Sequence, residues 1–253
     1  MIVDINAWTG HWGSLPPAGQ VETVRAALHQ IGVERICLAP LHAVWCHNPH
    51  PCNDQVYQAA RQWEDIDPVP LLDPTIATWH QELERARAQP RLRLVKLAPA
   101  YGSYELEAAD ELFEALAAAG LVAMVQVRLE DPRRQHPLAQ VPDLAPESVV
   151  EAARRHPDLK LIIGGAASQG LRALSEDLRC LSNLYADVSQ ADGLDSVRLL
   201  VEEGLGEKLL FGSHAPLFTP LAALARVVAD LEDEAAGDIL RRNARRILDG
   251  ATL

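Results

Sequence analysis

Phenylalanine occurs three times, methionine twice and cysteine four times in 253 residues, and aromatic residues together reach only 5%. Cysteines at 37, 46, 52 and 180 are too few for the disulfide framework of a small secreted domain, so the thiols are expected to be reduced. No apolar run approaches the roughly 20 residues that a membrane span needs. The first residues, Met1-Ile2-Val3-Asp4-Ile5-Asn6, lack the basic and apolar regions of a secretory signal and read as a strand. A cytoplasmic location is expected. Basic charge is also scarce: 23 Lys plus Arg stand against 35 Asp plus Glu, a formal net charge of −12. Pairs such as Arg133-Arg134, Arg154-Arg155 and Arg241-Arg242 sit in acidic surroundings. This argues against nucleic acid or an anionic membrane as partner, because both are held by concentrated positive charge. The first turn, Ala7-Trp8-Thr9-Gly10-His11-Trp12-Gly13, carries neither a dinucleotide fingerprint nor a P-loop.

What the chain has is regularity. Hydrophobic residues make up 48% and charged residues 23%, an ordinary globular composition. Short apolar stretches at 2–5, 36–39, 69–72, 92–98, 121–127, 159–163, 184–188 and 208–211 read as strands. Each is followed by a stretch of helical periodicity: 21–28, 53–63 with Asn53 as N-cap, 77–88, 105–119, 146–155, 171–178, 194–203, and finally the pair 221–231 and 237–248. Eight strands, each with its helix, are the arithmetic of a single (β/α)8 barrel domain over 1–253, and a doubly wound sheet would want the phosphate turn that is missing.

In such a barrel the chemistry sits at the C-terminal ends of the strands. Those ends offer Asn6 and Trp8, His42 to Cys52, Asp73, Lys96, Gln126 and Arg128, Gly164-Gly165, Asp187 and Ser189, and His214. The loop after the fifth strand adds Asp131, Arg133, Arg134 and His136.

The segments 1–6, 94–99, 125–131 and 210–216, with Asn183-Leu184-Tyr185-Ala186-Asp187-Val188-Ser189 before an apolar helix and then Phe211-Gly212-Ser213-His214-Ala215-Pro216, resemble successive strands of the amidohydrolase superfamily. The likeness is to its branch of metal-dependent hydrolases, decarboxylases and lactonases, and it covers nearly the whole chain. The resemblance implies a divalent metal held by Asp-x-His-x-His on strand one, by histidines ending strands five and six, and by an aspartate after strand eight. Here the matching stretches read Asp4-Ile5-Asn6-Ala7-Trp8, then Gln126 with Arg128, then Ile163-Gly164-Gly165, then His214. Asn is a weak ligand and Trp is none, so the usual site should not hold zinc. Such a metal would bring the pKa of bound water from about 15.7 toward 7, and that chemistry should not be inherited unexamined.

Three readings follow. In the first, the chain is a metal-independent hydrolase of a small carboxylate-bearing amide, ester or lactone, and no cofactor is expected. His214 would be the general base or acid and Asn6 would orient a carbonyl, with Asp131 completing the catalytic set. Lys96, Arg128, Gln126 and Arg133 would hold the substrate, since guanidinium forks match carboxylates. In the second, zinc binds a non-standard site in His42-Ala43-Val44-Trp45-Cys46-His47-Asn48-Pro49-His50-Pro51-Cys52, through His42, Cys46, His47, His50 and Cys52. Against it, five residues separate Cys46 from Cys52, and two prolines stiffen the loop. In the third, catalysis is lost and the barrel binds an anionic metabolite or serves as a scaffold. Room beside His214 separates the first from the third, because Trp8, Trp12 or Trp45 in the mouth would leave no space for a substrate. The sequence leaves a homodimer open.

Overall fold

Near-continuous apolar stretches need two covered faces, and the helical segments between them supply the outer cover. The computed structural model describes residues 2–13, 19–229 and 231–250. Strands β1 (Ile2–Thr9), β2 (Val33–Pro40) and β3 (Ile66–Pro68) form one parallel ladder. A second contains β4 (Leu94–Leu97), β5 (Val122–Gln126), β6 (Leu161–Gly164), β7 (Leu184–Asp187) and β8 (Leu209–Leu210). Backbone hydrogen bonds carry the sheet across both seams. Lys96 N–H donates to Pro70 O at 2.9 Å and Leu72 N–H to Lys96 O at 3.0 Å, tying the continuation of β3 to β4. On the other side Ile5 N–H donates to Phe211 O at 3.0 Å, His214 N–H to Asn6 O at 2.9 Å and Trp8 N–H to Ala215 O at 2.8 Å. The strands therefore close on themselves as a (β/α)8 barrel.

Strand alternation divides the core in two. Leu94, Val122, Met124, Ile162, Tyr185 and Leu210 belong to one buried cluster. Their neighbours in sequence, Val95, Ala123, Val125, Leu161, Ile163 and Ala186, belong to another with helix residues such as Phe113, Val149, Ala153 and Leu171. The helix Glu147–Arg155 illustrates the pattern: Val149, Val150, Ala152 and Ala153 are buried, while Glu147 begins it and Arg154 and Arg155 end it, each charge suiting its end of the helix dipole. Among the described residues no helix is long and apolar enough to cross a membrane.

Two expectations need correction. The third strand runs over Ile66–Pro68 rather than 69–72. Pro68 and Pro70 lack the N–H that a longer ladder needs, and the strand's own Asp67, paired with Arg35 at 2.6 Å, hides the apolar pattern. Asn53 does not cap the following helix, Asp54–Gln62, because its own backbone is already helical and its side chain makes no capping bond. Its amide instead reaches β3's continuation: Oδ1 accepts Leu71 N–H at 2.8 Å, and Nδ2 donates to Leu71 O at 3.1 Å and to Glu82 Oε1 at 2.8 Å. One fully buried side chain thus replaces ladder bonds that the prolines remove. Replacing Asn53 by Ala would orphan the Leu71 amide, and urea denaturation is expected to show a loss of about 2–4 kcal/mol; a loss under about 0.5 kcal/mol, the scale of a surface change, would mean that the bridge holds nothing.

Candidate active site

β1 sends Asn6 and Trp8 to the barrel axis, β4 sends Lys96, β5 sends Gln126 and β7 sends Asp187; the turn after β8 brings His214 over them. Asn6, Trp8, Lys96, Asp187 and His214 are all fully buried. Lys96 Nζ donates to Asn6 Oδ1 at 2.6 Å and lies 3.7 Å from the centre of the Trp8 ring. The other end of the Asn6 amide donates to Asp187 Oδ2 at 2.6 Å and, more weakly, to Ser189 Oγ at 3.4 Å. Asp187 Oδ1 accepts the Gly165 amide at 2.7 Å. Ammonium, amide and carboxylate therefore form one chain across the barrel, with an indole face covering the ammonium.

Burial governs the charges here. It pushes the Lys96 ammonium down to about 7 despite the opposing pull of Asp187 and Asp4. The same burial raises the Asp187 carboxyl, against the hydrogen bonds from Gly165, Asn6 and Ser189. Asp4, one layer below, is raised by burial to about 6, although its Oδ1 accepts the amides of Asn6 and Ser213 at 3.0 Å each.

His214 occupies a left-handed backbone position (φ 56°). Its Nε2 donates to Leu129 O at 2.7 Å, which places the proton on that nitrogen and leaves Nδ1 buried without a partner. Burial lowers its pKa to about 3, and the cations Lys96, Arg128 and Arg226 push in the same direction. Trp8 stands edge-on at 6.2 Å and Phe218 is tilted at 5.2 Å. The imidazole is thus neutral and packed on both sides.

The residues present do not fit a divalent metal. An amide, an indole, Gln126 and a glycine stand where the resemblance places ligands, and a lysine amine is inserted 2.6 Å from the first of them. Gly164 has no room for any side chain: a Cβ there would lie 2.9 Å from Met124 Cγ and 3.0 Å from Gln126 Oε1. Gln126 is itself turned aside, donating to Arg128 O at 2.7 Å. Gly165, at φ +76°, brings its N–H to Asp187 where a Cβ would strike Arg128 O at 2.4 Å.

The remaining residues singled out by the sequence lie further out. Arg128 Nε donates to Gln190 Oε1 at 2.6 Å, and among the described residues no carboxylate pairs with it. Gln190 also donates to Arg128 O at 2.9 Å and so locks this turn; nothing in its flanking sequence marked it. Asp131 and Arg133 pair with each other at the surface, Nη2 to Oδ2 at 2.5 Å, and are not brought to His214 by any bond. Asp73 Oδ1 is taken by Thr75. In the loop after β2, His50 is buried with Nε2 accepting Asp73 N–H, while Cys46 and Cys52 meet each other. Among the described residues no three His, Cys, Asp or Glu side chains converge as a metal-binding group.

Trp12, Trp45 and Tyr101 roof the mouth, with Trp12 5.4 Å from Trp45 and Tyr101 5.1 Å from Trp45. Trp12 is buried and its Nε1 donates to Glu130 Oε2 at 3.2 Å; Trp45 is half exposed. Above them opens a cleft of about 530 Å³ walled by Trp12, Trp45, Glu130, Arg134, His136 and Pro137. Tyr101 is the member of this roof that strand-end reading missed, because it lies in the short helix Pro99–Gly102 beyond β4.

The pattern of the Amidohydrolase family matches residues 46–250. No curated protein matches the chain in sequence. Among solved structures, 5-carboxyvanillate decarboxylase from Sphingomonas paucimobilis is similar over 98% of both chains, with a TM-score of 0.74 and 15% identity. 2,6-Dihydroxybenzoate decarboxylase from Rhizobium matches 98% of this chain and 99% of its own, with a TM-score of 0.70 and 16% identity. Dihydroxybenzoic acid decarboxylase from Polaromonas sp. JS666, with bound manganese and the inhibitor 2-nitroresorcinol, covers 98% and 96% at a TM-score of 0.69 and 16% identity. At these identities the likeness shows the fold.

The packed imidazole generates a prediction for acid stability. Unfolded, His214 protonates near its ordinary 6.5; folded, it resists down to about 3. Below about pH 6.5 the unfolded state therefore holds the additional proton, and this contribution to stability is lost as the pH falls through that window. Asp4 works in the opposite sense, because its raised carboxyl holds a proton in the folded state between about 6 and its ordinary 3.8. Urea unfolding at steps from pH 7 to pH 4 is expected to show the wild type losing more stability than His214→Gln. Parallel losses in the two proteins would contradict a buried, proton-resistant imidazole.

Proposed function

The chain belongs to the amidohydrolase family, and from that premise we propose that it binds a ligand rather than activating water on a metal, holding a small aromatic carboxylate in the cleft walled by Trp12 and Trp45. One observation carries this reading: the chain's own side chains fill the strand-end centre. A reacting atom needs a place about 3 Å from both its nucleophile and its stabilising donors. Here Lys96, Asn6 and Asp187 satisfy one another, Trp8 covers them, and His214 is packed between rings. A cleft of about 530 Å³ opens beside Trp12 and Trp45.

A hydrolytic reading shares the ligand class but lacks its base. His214 would need an open side, and its Nε2 proton is committed to Leu129 O while Nδ1 is enclosed. The cleft is a better place for a ligand than for a reaction. Its volume falls within the usual range for small-molecule sites of roughly 300–1,000 Å³. Two indoles supply flat walls suited to an aromatic ring. Arg134, 3.7 Å from Glu130, supplies a guanidinium for a carboxylate, and His136, whose Nδ1 accepts Leu138 N–H at 3.1 Å, supplies the Nε2 side of its ring. The class of ligand also agrees with the similar structures, two of which are named as decarboxylases of 5-carboxyvanillate and 2,6-dihydroxybenzoate.

Isothermal titration of the protein with 2,6-dihydroxybenzoate is expected to give saturable binding. Losing the Trp45 wall removes roughly 0.5–1.5 kcal/mol of ring contact beyond its buried area, so Trp45→Ala should weaken binding by about tenfold. Arg134→Met is expected to weaken the carboxylate while leaving a neutral resorcinol nearly unaffected. Release of carbon dioxide or of a hydrolysis product, with or without added manganese, would overturn the reading, and so would equal affinity in Trp45→Ala.

A further inference from the structure

The loop that carries Trp45 also holds two of the four cysteines. Cys46 directly follows the 3-10 turn Leu41–Trp45, and Cys52 lies within the next one, His50–Asn53. Their Sγ atoms are 3.5 Å apart and both thiols are free. Cys46 is exposed and Cys52 half-buried. The backbone holds them in place: Cys46 N–H donates to Ala43 O and Cys52 N–H to Pro49 O, each at 3.0 Å, while Asn48 Oδ1 accepts His50 N–H at 3.1 Å. Pro49 and Pro51 fix two further φ angles in the same segment. Cys37 is sealed inside β2, and neither it nor Cys180 has a sulfur partner among the described residues.

We infer that Cys46 and Cys52 are a reversible dithiol–disulfide site, oxidised by a hydroperoxide, and that closing it fixes the loop that presents Trp45 to the cleft. A disulfide needs its sulfurs at about 2.05 Å, so the pair must approach by about 1.5 Å. In that approach Cys46 gives up only a weak contact from its thiol to His42 O at 3.6 Å. Exposure makes Cys46 the sulfur that a dissolved oxidant meets. Burial and the adjacent Cys46 sulfur push the Cys52 thiol up to about 12, which makes Cys52 the poorer nucleophile toward a dissolved oxidant.

The chemistry balances as follows. The Cys46 thiolate attacks the peroxide O–O bond, forming a sulfenic acid, and the departing alkoxide takes the Cys46 proton to leave as an alcohol. The Cys52 sulfur then attacks the Cys46 sulfur; the S–O bond breaks, the S–S bond forms, and hydroxide leaves with the Cys52 proton as water. Two thiols and one hydroperoxide give one disulfide, one alcohol and one water. A small-molecule thiol reverses it by exchange. The convergence that a metal would need is missing in the described part of this loop, where His50 faces Asp73 instead of the sulfurs.

The test uses the full chain, reduced, desalted and treated with a small excess of hydrogen peroxide. Thiols titrated after denaturation are expected to fall from the four in the sequence to two. Differential alkylation with mass spectrometry should find Cys46 and Cys52 protected and released by dithiothreitol, with Cys37 and Cys180 labelled throughout. Cys180→Ser should behave like the wild type, and Cys46→Ser should retain its remaining thiols under the same dose. Tryptophan emission is expected to change on oxidation and recover on reduction, and Trp45→Phe should lose that change while still forming the disulfide. Labelling of both Cys46 and Cys52 after treatment, or pairing with Cys180 or between molecules, overturns the site. A disulfide formed without any change in emission overturns its action on Trp45.

Discussion

A primary amine sealed inside a barrel is the constraint around which the rest of this structure is arranged. An ammonium in a low-dielectric interior is expensive unless it is paired and hydrogen-bonded. Among the described residues no carboxylate is in direct contact with Lys96; the Asn6 amide stands between it and Asp187, accepting from one and donating to the other. The amide can do this because its two ends have opposite polarity. The Trp8 face supplies the remaining stabilisation through its ring quadrupole. A histidine at position 6 would present one donor and one acceptor in a different geometry, and a smaller residue at position 8 would leave the ammonium uncovered.

From that requirement follows the closed mouth. Water reaching Lys96 would relieve its desolvation and weaken its link to Asp187, so the seal over it belongs to the same arrangement. His214 provides part of the seal, and its neutral state is the one that fits: burial disfavours the charged form, and a further cation beside Lys96, Arg128 and Arg226 would be repelled. Trp12, Trp45 and Tyr101 form the outer layer. The cleft of about 530 Å³ lies out in the loops, lined by Trp45, Glu130, Arg134 and His136 rather than by the residues of the barrel axis.

Much of this was legible in the residues. Short apolar runs and period-3.6 patterns gave the alternation because each strand is covered on both faces, and residues 6, 8, 126, 164 and 214 stood out as departures from the pattern that the resemblance implied. Other features were hidden for physical reasons. Asp67 sits in β3 and breaks the apolar run only on paper, since Arg35 and Arg91 compensate it across the barrel floor. Asn53 has the residue type and position of a helix cap but spends its amide on Leu71. The direction of Lys96 could not be read, because a slip of one residue turns a strand side chain to the other face. The structure turns it inward and leaves Arg128 at the rim on Gln190. Gln190, Tyr101 and the 3.5 Å approach of Cys46 to Cys52 depend on loop conformation, which no periodicity encodes.

The departures from the family pattern also support one another, which explains why they occur together. Restoring a histidine at position 6 alone would break the link between Lys96 and Asp187 and leave both buried without their shared partner. Restoring one at Gly164 would drive its Cβ into Met124 and Gln126. Even with both in place, the Lys96 ammonium would repel an incoming cation from the centre that those histidines were meant to build. The present filling of the barrel axis therefore depends on its members together, since removing Asn6 alone leaves Lys96 Nζ and Asp187 Oδ2 unpaired where water does not reach. The fold accommodates this filling or the family's metal site, because its helices and outward-facing strand residues have no contact with the difference. Lys96, Asn6, Asp187, Trp8 and His214 fill the strand-end centre, while the cleft beside Trp12 and Trp45 is built by loops that take no part in that filling.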